Sequence, residues 1–293
     1  MGDRVLVRLM APDDVDGAYR SDSIALAETA EEKEQVSRRS SEEVERRKAR
    51  YRHLLATDPG GCWVAVDGER AVGSALALRR ESLWGLSLFA VDAAYRGAGI
   101  GRRLLERALS YAEDCRGAII ASSAHPAAMR RYALAGFELL PTLMASGSVK
   151  RETLPAVPTV RDGTDTDLEL VAEVDRRVRG ASHGPDLEFL LGIGGHLLIC
   201  ERPDGRGYAF EREGSSPLLA ATHPAVAAEL LWACLAEAQG TEEVEVRWLT
   251  AAQSRWAMPV VLGAGLTLSP AGPLCVRGEL GPLAPYLPSG PFL

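Results

Sequence analysis

Hydrophobic and polar positions place most elements of the chain before any chemistry is considered. The apolar run Leu83-Trp84-Gly85-Leu86-Ser87-Leu88-Phe89-Ala90-Val91 predicts a buried strand. Downstream, Ile100, Leu104, Leu105, Ala108, Leu109 and Ala112 recur at helical spacing, with Arg102, Arg103, Glu106 and Arg107 between them. That pattern predicts an amphipathic helix. Strand and helix are joined by Arg96-Gly97-Ala98-Gly99-Ile100-Gly101. Arg116 to Ser123 then predicts a short buried strand, followed by a helix opened by Pro126. This second helix contains Tyr132 and ends at Gly136-Phe137, where Gly136 can supply a left-handed cap.

The pattern is written twice. A shift of 153 positions aligns Val7 with Val160, Arg8 with Arg161, Asp14 with Asp167 and Asp22 with Asp175. In both copies a strand leads through an Asp-rich cap into a helix. Trp63 to Val66, a turn at Asp67-Gly68, and Val72 to Leu78 predict a hairpin. His196 to Glu201, a turn at Pro203-Asp204-Gly205, and Gly207 to Arg212 predict its counterpart. Gly101 to Leu109 resembles Ala227 to Leu235, and Gly136-Phe137 matches Gly265-Leu266. The expected division is a first domain over 1–147, a linker over 148–157 within the Pro- and Ser-containing stretch Ser146 to Pro158, and a second domain over 158–293.

Composition narrows the class. A chain of 293 residues that is 46% hydrophobic can build a sizeable core. The net charge of −7 argues against a nucleic-acid or anionic-membrane partner and suits a cationic acceptor such as an amine. Without a long charge-free apolar stretch or a signal-peptide pattern, the chain reads as cytoplasmic. Abundant Arg and Ala beside scarce Lys hint at a GC-rich bacterial genome. Cys62, Cys115, Cys200, Cys234 and Cys275 are scattered without a C-x-x-C, and the histidines are equally scattered, so neither disulfide nor metal site is expected.

The candidate chemistry lies in the glycine turn. Glycines let a ligand approach the backbone, and the unpaired N–H groups of a first helical turn point at an anion. The turn is neither a P-loop, which needs G-x-x-x-x-G-K-[ST], nor the dinucleotide fingerprint G-x-G-x-x-G. Phe89-Ala90-Val91, Arg96-x-x-Gly99-x-Gly101 and Tyr132-x-x-x-Gly136-Phe137, in this order and spacing, resemble the GNAT family of acetyl-CoA-dependent N-acetyltransferases.

The resemblance implies an α/β fold with a mixed (α+β) sheet. It implies two tandem GNAT-like domains, each a mixed, mainly antiparallel twisted sheet flanked by helices. It also implies an acyltransferase with acetyl-CoA as co-substrate and a small-molecule or protein amine as acceptor; homodimerisation, common for such a fold, stays open. Phe89, Ala90 and Val91 would offer strand backbone to the pantetheine arm. Arg96, Gly97, Ala98, Gly99, Ile100, Gly101 and Arg102 would cradle the pyrophosphate, and Tyr132 would protonate the departing sulfur.

Some family members carry a Glu where this chain has Gly85, so the general base is left among Glu81, Ser87, Asp22 and His125. The second copy has Thr222, Ala225 and Ala227 in place of Arg96, Gly99 and Gly101, Pro224 within the turn, and Val261 in place of Tyr132. Coenzyme is therefore expected in the first half only. The alternative is a non-catalytic acyl-CoA-binding or regulatory module.

Three further expectations complete the reading. Ser40 with Glu43 fits a capping box that opens a solvated helix, with pairs Glu42–Arg46 and Glu43–Arg47. Trp84, Trp232, Trp248 and Trp256 are read as core or interface. Gly281 to Leu293 reads as an ordered surface tail.

Overall fold

The computed structural model describes residues 5–27, 29–211, 217–237 and 243–293. Arg212, the expected end of the second hairpin, lies outside them. The chain has an α/β fold with mixed, mainly antiparallel sheets flanked by helices. Two compact units divide it: residues 1–79 with 84–115, and residues 80–83 with 116–293.

The first unit starts with strand β1 (Leu6–Leu9) and helices α1 (Val15–Leu26), α2 (Ala30–Arg38) and α3 (Ser41–Thr57). Strands β2 (Cys62–Asp67), β3 (Arg70–Arg80) and β4 (Leu83–Val91) and helix α4 (Ile100–Ser110) follow. The strands run in the order β1-β2-β3-β4. Along α1, Val15, Ala18, Tyr19 and Asp22 are buried, which is one helical face. α4 buries Ile100, Leu104, Leu105 and Ala108, and Ala112 just beyond it is buried too, so five of the six positions that the periodicity singles out are buried. Ser40 and Glu43 close the capping box of α3, with Glu43 N–H to Ser40 Oγ at 3.2 Å and Ser40 N–H to Glu43 Oε2 at 2.8 Å. The ion pairs of α3 differ from expectation. Lys48 bridges Asp16 and Glu45, and Arg52 pairs with Glu45.

In the second unit, β5 (Gly117–Ala121), α5 (Pro126–Leu134) and β6 (Glu138–Ser148) are followed by β7 (Val160–Asp162), α6 (Leu168–Val178) and α7 (Pro185–Gly192). Then come β8 (His196–Arg202), β9 (Gly205–Glu211), β10 (Leu218–Ala221), α8 (Pro224–Glu237), β11 (Glu243–Leu249), α9 (Ser254–Gly263), β12 (Thr267–Gly278) and β13 (Tyr286–Leu287). One sheet runs β13-β10-β9-β8-β7, and another array runs β5-β12-β6-β11. In the latter, β12 pairs antiparallel with β5 and β6 at once: Cys275 faces Ile120 on one side and Leu139 on the other. β6 likewise sits between β12 and β11. Strands from the early and late parts of the chain thus interleave.

The repeat is physical as well as textual. Arg8 grips Asp14 through both guanidinium nitrogens (2.6 and 2.8 Å), and Asp14 accepts from Ala11 N–H. Arg161 grips Asp167 in the same way (3.0 and 2.7 Å), and Asp167 accepts from Thr164 N–H. Asp22 accepts from a hydroxyl on β3 (Ser74), and Asp175 from a hydroxyl on β9 (Tyr208).

Two expectations are corrected. Ser146 to Ser148 belong to β6, so that part of the expected joint is strand. The closing segment is no surface tail: β13 pairs with β10, and Phe292 packs edge-on against Phe189 at 5.6 Å. Tyr286, Leu287, Phe292 and Leu293 are buried. Apolar burial of these four side chains outweighs the Pro and Gly content that suggests exposure.

Candidate active site

The glycine turn is launched from the end of β4 by a short 3-10 turn over Ala93–Tyr95. Along β4, Leu86, Leu88 and Ala90 are buried, while Ser87, Phe89 and Val91 are half-buried on the opposite face. The launch point is braced from the neighbouring hairpin. Asp92 caps the turn by accepting from Ala94 N–H at 2.9 Å, and Arg70 holds that carboxylate at 2.6 Å. Tyr95 hydroxyl donates to Asp67 at 2.9 Å. This brace escapes the sequence reading, because nothing local links Arg70 to a residue 22 positions away.

Gly97 and Gly99 adopt φ of +83° and +78°. This left-handed region favours glycine. A Cβ added at either would meet nothing within 4 Å. Their backbone is therefore bare on that side. Gly101 differs: its Cβ would stand 3.4 Å from Phe89 and 3.7 Å from Val91, in ordinary contact. The first backbone bond of α4 runs from Arg103 N–H to Gly99 O at 3.1 Å. The N–H groups of Ile100, Gly101 and Arg102 precede that ladder and carry the positive end of the helix dipole. Bare glycine backbone beside such N–H groups fits a phosphate.

The two flanking arginines behave differently from one another. Arg96 donates from Nε to Val91 O (3.1 Å) and from Nη2 to Ala25 O (2.9 Å). It ties the end of α1 to the end of β4. Arg102 is exposed and lies 3.7 Å from Glu106.

Tyr132 lies on α5 and is buried, with its ring edge-on to Phe137 at 6.4 Å. Burial pushes its phenol well above the usual tyrosine value, so it stays protonated at neutral pH. Gly136 follows in the left-handed conformation, φ +82°.

The four candidate bases have different surroundings. Asp22 is fully buried; Ser74 Oγ (2.5 Å) and Tyr51 hydroxyl (3.0 Å) both donate to Oδ2, while Oδ1 has no partner. Burial pushes its carboxyl up to about 7. Glu81 is held by Arg176 Nε at 2.8 Å. Ser87 Oγ is buried without a hydrogen-bond partner. His125 occupies the N-cap position of α5.

The corresponding strand-to-helix junction in the second unit is built differently. α8 starts at Pro224, which has no N–H to offer an anion. The edge of β10 is taken by β13, and Ala221 N–H donates to Pro285 O at 3.2 Å. Among the described residues no group of three His, Cys, Asp or Glu side chains could hold a metal ion, and no helix is long and apolar enough to cross a membrane.

Comparison with known proteins agrees with the fold. A candidate acetyltransferase from Pyrococcus horikoshii superposes with a TM-score of 0.73 at 19% identity, covering 94% of this chain and 90% of its own. A tandem GNAT protein from the clavulanic acid biosynthesis pathway gives 0.58 at 15% identity, covering 94% and 98%. A GCN5-related N-acetyltransferase from Sphaerobacter thermophilus gives 0.56 at 17% identity, covering 96% and 98%. No curated protein matches the chain. Residues 26–137 match the acetyltransferase (GNAT) family model, and the chain has the GNAT acetyltransferase fold.

Proposed function

We propose that the protein is an acetyl-CoA-dependent N-acetyltransferase that moves an acetyl group onto a primary amine. The observation that carries this reading is the bare, left-handed glycine backbone at Gly97 and Gly99 beside the unpaired first-turn N–H groups of α4. The catalytic half is taken as residues 1–147 and the second half as 158–293, joined by the stretch that follows Ser148 at the end of β6.

Acetyl-CoA would supply a thioester open to direct attack by the amine. N–H groups of residues 97–102 hold the pyrophosphate, and the backbone of Phe89, Ala90 and Val91 aligns the pantetheine arm. A bond forms between the amine nitrogen and the acetyl carbon while the carbon–sulfur bond breaks. The amine releases its proton to water or a nearby base, and Tyr132 donates its phenolic proton to the departing thiolate. Burial keeps the phenol protonated at neutral pH and also makes it a weaker acid than a free tyrosine. The transfer therefore needs the phenol to be resolvated, or its phenolate stabilised, as sulfur takes the proton.

Replacing Tyr132 by Phe tests the donor. Acetyl-CoA affinity by calorimetry should stay within about twofold, and turnover with an accepted amine should fall about 10²-fold or more, the range for lost acid catalysis. Unchanged turnover would remove Tyr132 from the mechanism. Coenzyme binding with no turnover of any amine, in wild type as well, would favour a binding module.

A further inference from the structure

Three arginines stand together on the first unit in a protein of net charge −7. Arg39 sits between α2 and α3, and Arg47 and Arg50 lie on α3. Arg39 Nη1 reaches only neutral oxygens, Tyr19 hydroxyl at 3.3 Å and Ser23 Oγ at 3.4 Å, both on α1. Arg50 lies 5.8 Å from the Tyr51 ring centroid, and its Nε is buried with no hydrogen-bond partner. Among the described residues none of the three makes an ion pair within 4 Å. Desolvation, then the like charges of Arg39 and Arg50, hold the Arg47 guanidinium below its usual basicity.

The acidic groups facing the cluster offset it only in part. Glu43 faces Arg47, and its bonds with Ser40 hold its carboxyl ionised, so it balances one of the three charges. Asp22 faces Arg50, and with its carboxyl pushed up to about 7 it carries only part of a negative charge near neutral pH. Arg39 packs against neutral hydroxyls and Arg50 beside an aromatic ring, with exposed Arg47 next to them, and an anion joining the three would relieve their mutual repulsion. The arrangement also has a defined place: Ser23 lies on the same last turns of α1 as Ala25, whose carbonyl Arg96 ties to the glycine turn.

We propose that Arg39, Arg47 and Arg50, with the hydroxyls of Tyr19 and Ser23, form an oxyanion site for a carboxylate or phosphate carried by the acceptor amine. The assignment to the acceptor rests on the acetyltransferase reading; the anion site itself does not. Guanidinium forks match both oxyanions and form charge-assisted bonds to them.

The test uses the full chain, inorganic phosphate as probe, and chloride at matched ionic strength as control. Thermal unfolding is followed for wild type, Arg47→Gln and Arg39→Gln. Phosphate should raise the wild-type Tm saturably. In both variants about tenfold more phosphate should be needed, as one charge-assisted bond is lost. Without phosphate, Arg47→Gln should melt no lower than wild type, because a like charge has gone. An equal phosphate shift in all three proteins, as binding at the glycine turn would give, overturns the site, and so does no shift in wild type.

Acetyl-CoA titration separates the sources of the anion. Unchanged affinity in Arg47→Gln supports the acceptor, whereas a tenfold loss would assign the site to a coenzyme phosphate and overturn the proposal. If wild type binds no acetyl-CoA while the phosphate effect still depends on Arg39 and Arg47, the anion site stands and the transferase reading falls.

Discussion

At Gly99 the backbone angle, rather than lack of room, forbids a side chain: φ is +78° and a Cβ would touch nothing within 4 Å. Gly99→Val therefore costs about 1–2 kcal/mol of backbone strain and places methyl groups where a phosphate would approach. The expected outcome is a folded protein with acetyl-CoA binding lost. Gly101→Ala, whose Cβ makes ordinary contacts, should fold as wild type, and equal circular-dichroism melts would show it.

Asp22 yields a second residue-scale prediction. Its folded-state carboxyl is pushed up to about 7, so the folded chain holds this proton more tightly than the unfolded chain. The stability it contributes is complete below about pH 4 and is lost as pH rises through about 7. The slope from one such group is at most about 1.4 kcal/mol per pH unit. Asp22→Asn keeps an acceptor for Ser74 and Tyr51 without that titration. Its Tm relative to wild type should rise between pH 5 and pH 8; a constant offset would contradict the assignment. The left-handed glycines of the candidate site are legible because a tight strand-to-helix turn has a local spacing. The charge of Arg39 near Arg47 is not: periodicity marks Arg47 as solvated, which its exposure bears out, but Arg39 comes from a loop eight residues away.

At the scale of elements, local pattern shows where helices start and long-range pairing decides the rest. The helix at Ile100 and the cap at Ser40 follow from residues within one turn of each other. The placement of β12 between β5 and β6 joins segments more than 120 residues apart, and no local period encodes that. β13 has no signature in the sequence because two residues flanked by Pro carry no alternation. Buried ion pairs are equally silent in sequence. Arg80 and Asp186 meet through two bonds, Nε–Oδ2 at 2.7 Å and Nη2–Oδ1 at 2.6 Å, at 4% and 0% exposure. Asp186→Ala removes the counter-charge of a buried guanidinium and should cost about 3–5 kcal/mol in urea unfolding. A loss under 1 kcal/mol would mean that water reaches Arg80.

Across the whole molecule the two halves share a plan and differ at one junction. Arg8–Asp14 and Arg161–Asp167 are the same staple, while the glycine turn has as its counterpart a proline and a strand edge already paired with β13. On the proposed reading, one half is equipped for the coenzyme and the other is not. Calorimetric titration of the full chain with acetyl-CoA tests this most directly, with Gly99→Val and Ala225→Val beside wild type. The account predicts one site per chain, lost in Gly99→Val and retained in Ala225→Val. Two sites, or binding that survives Gly99→Val in a folded protein, would contradict it.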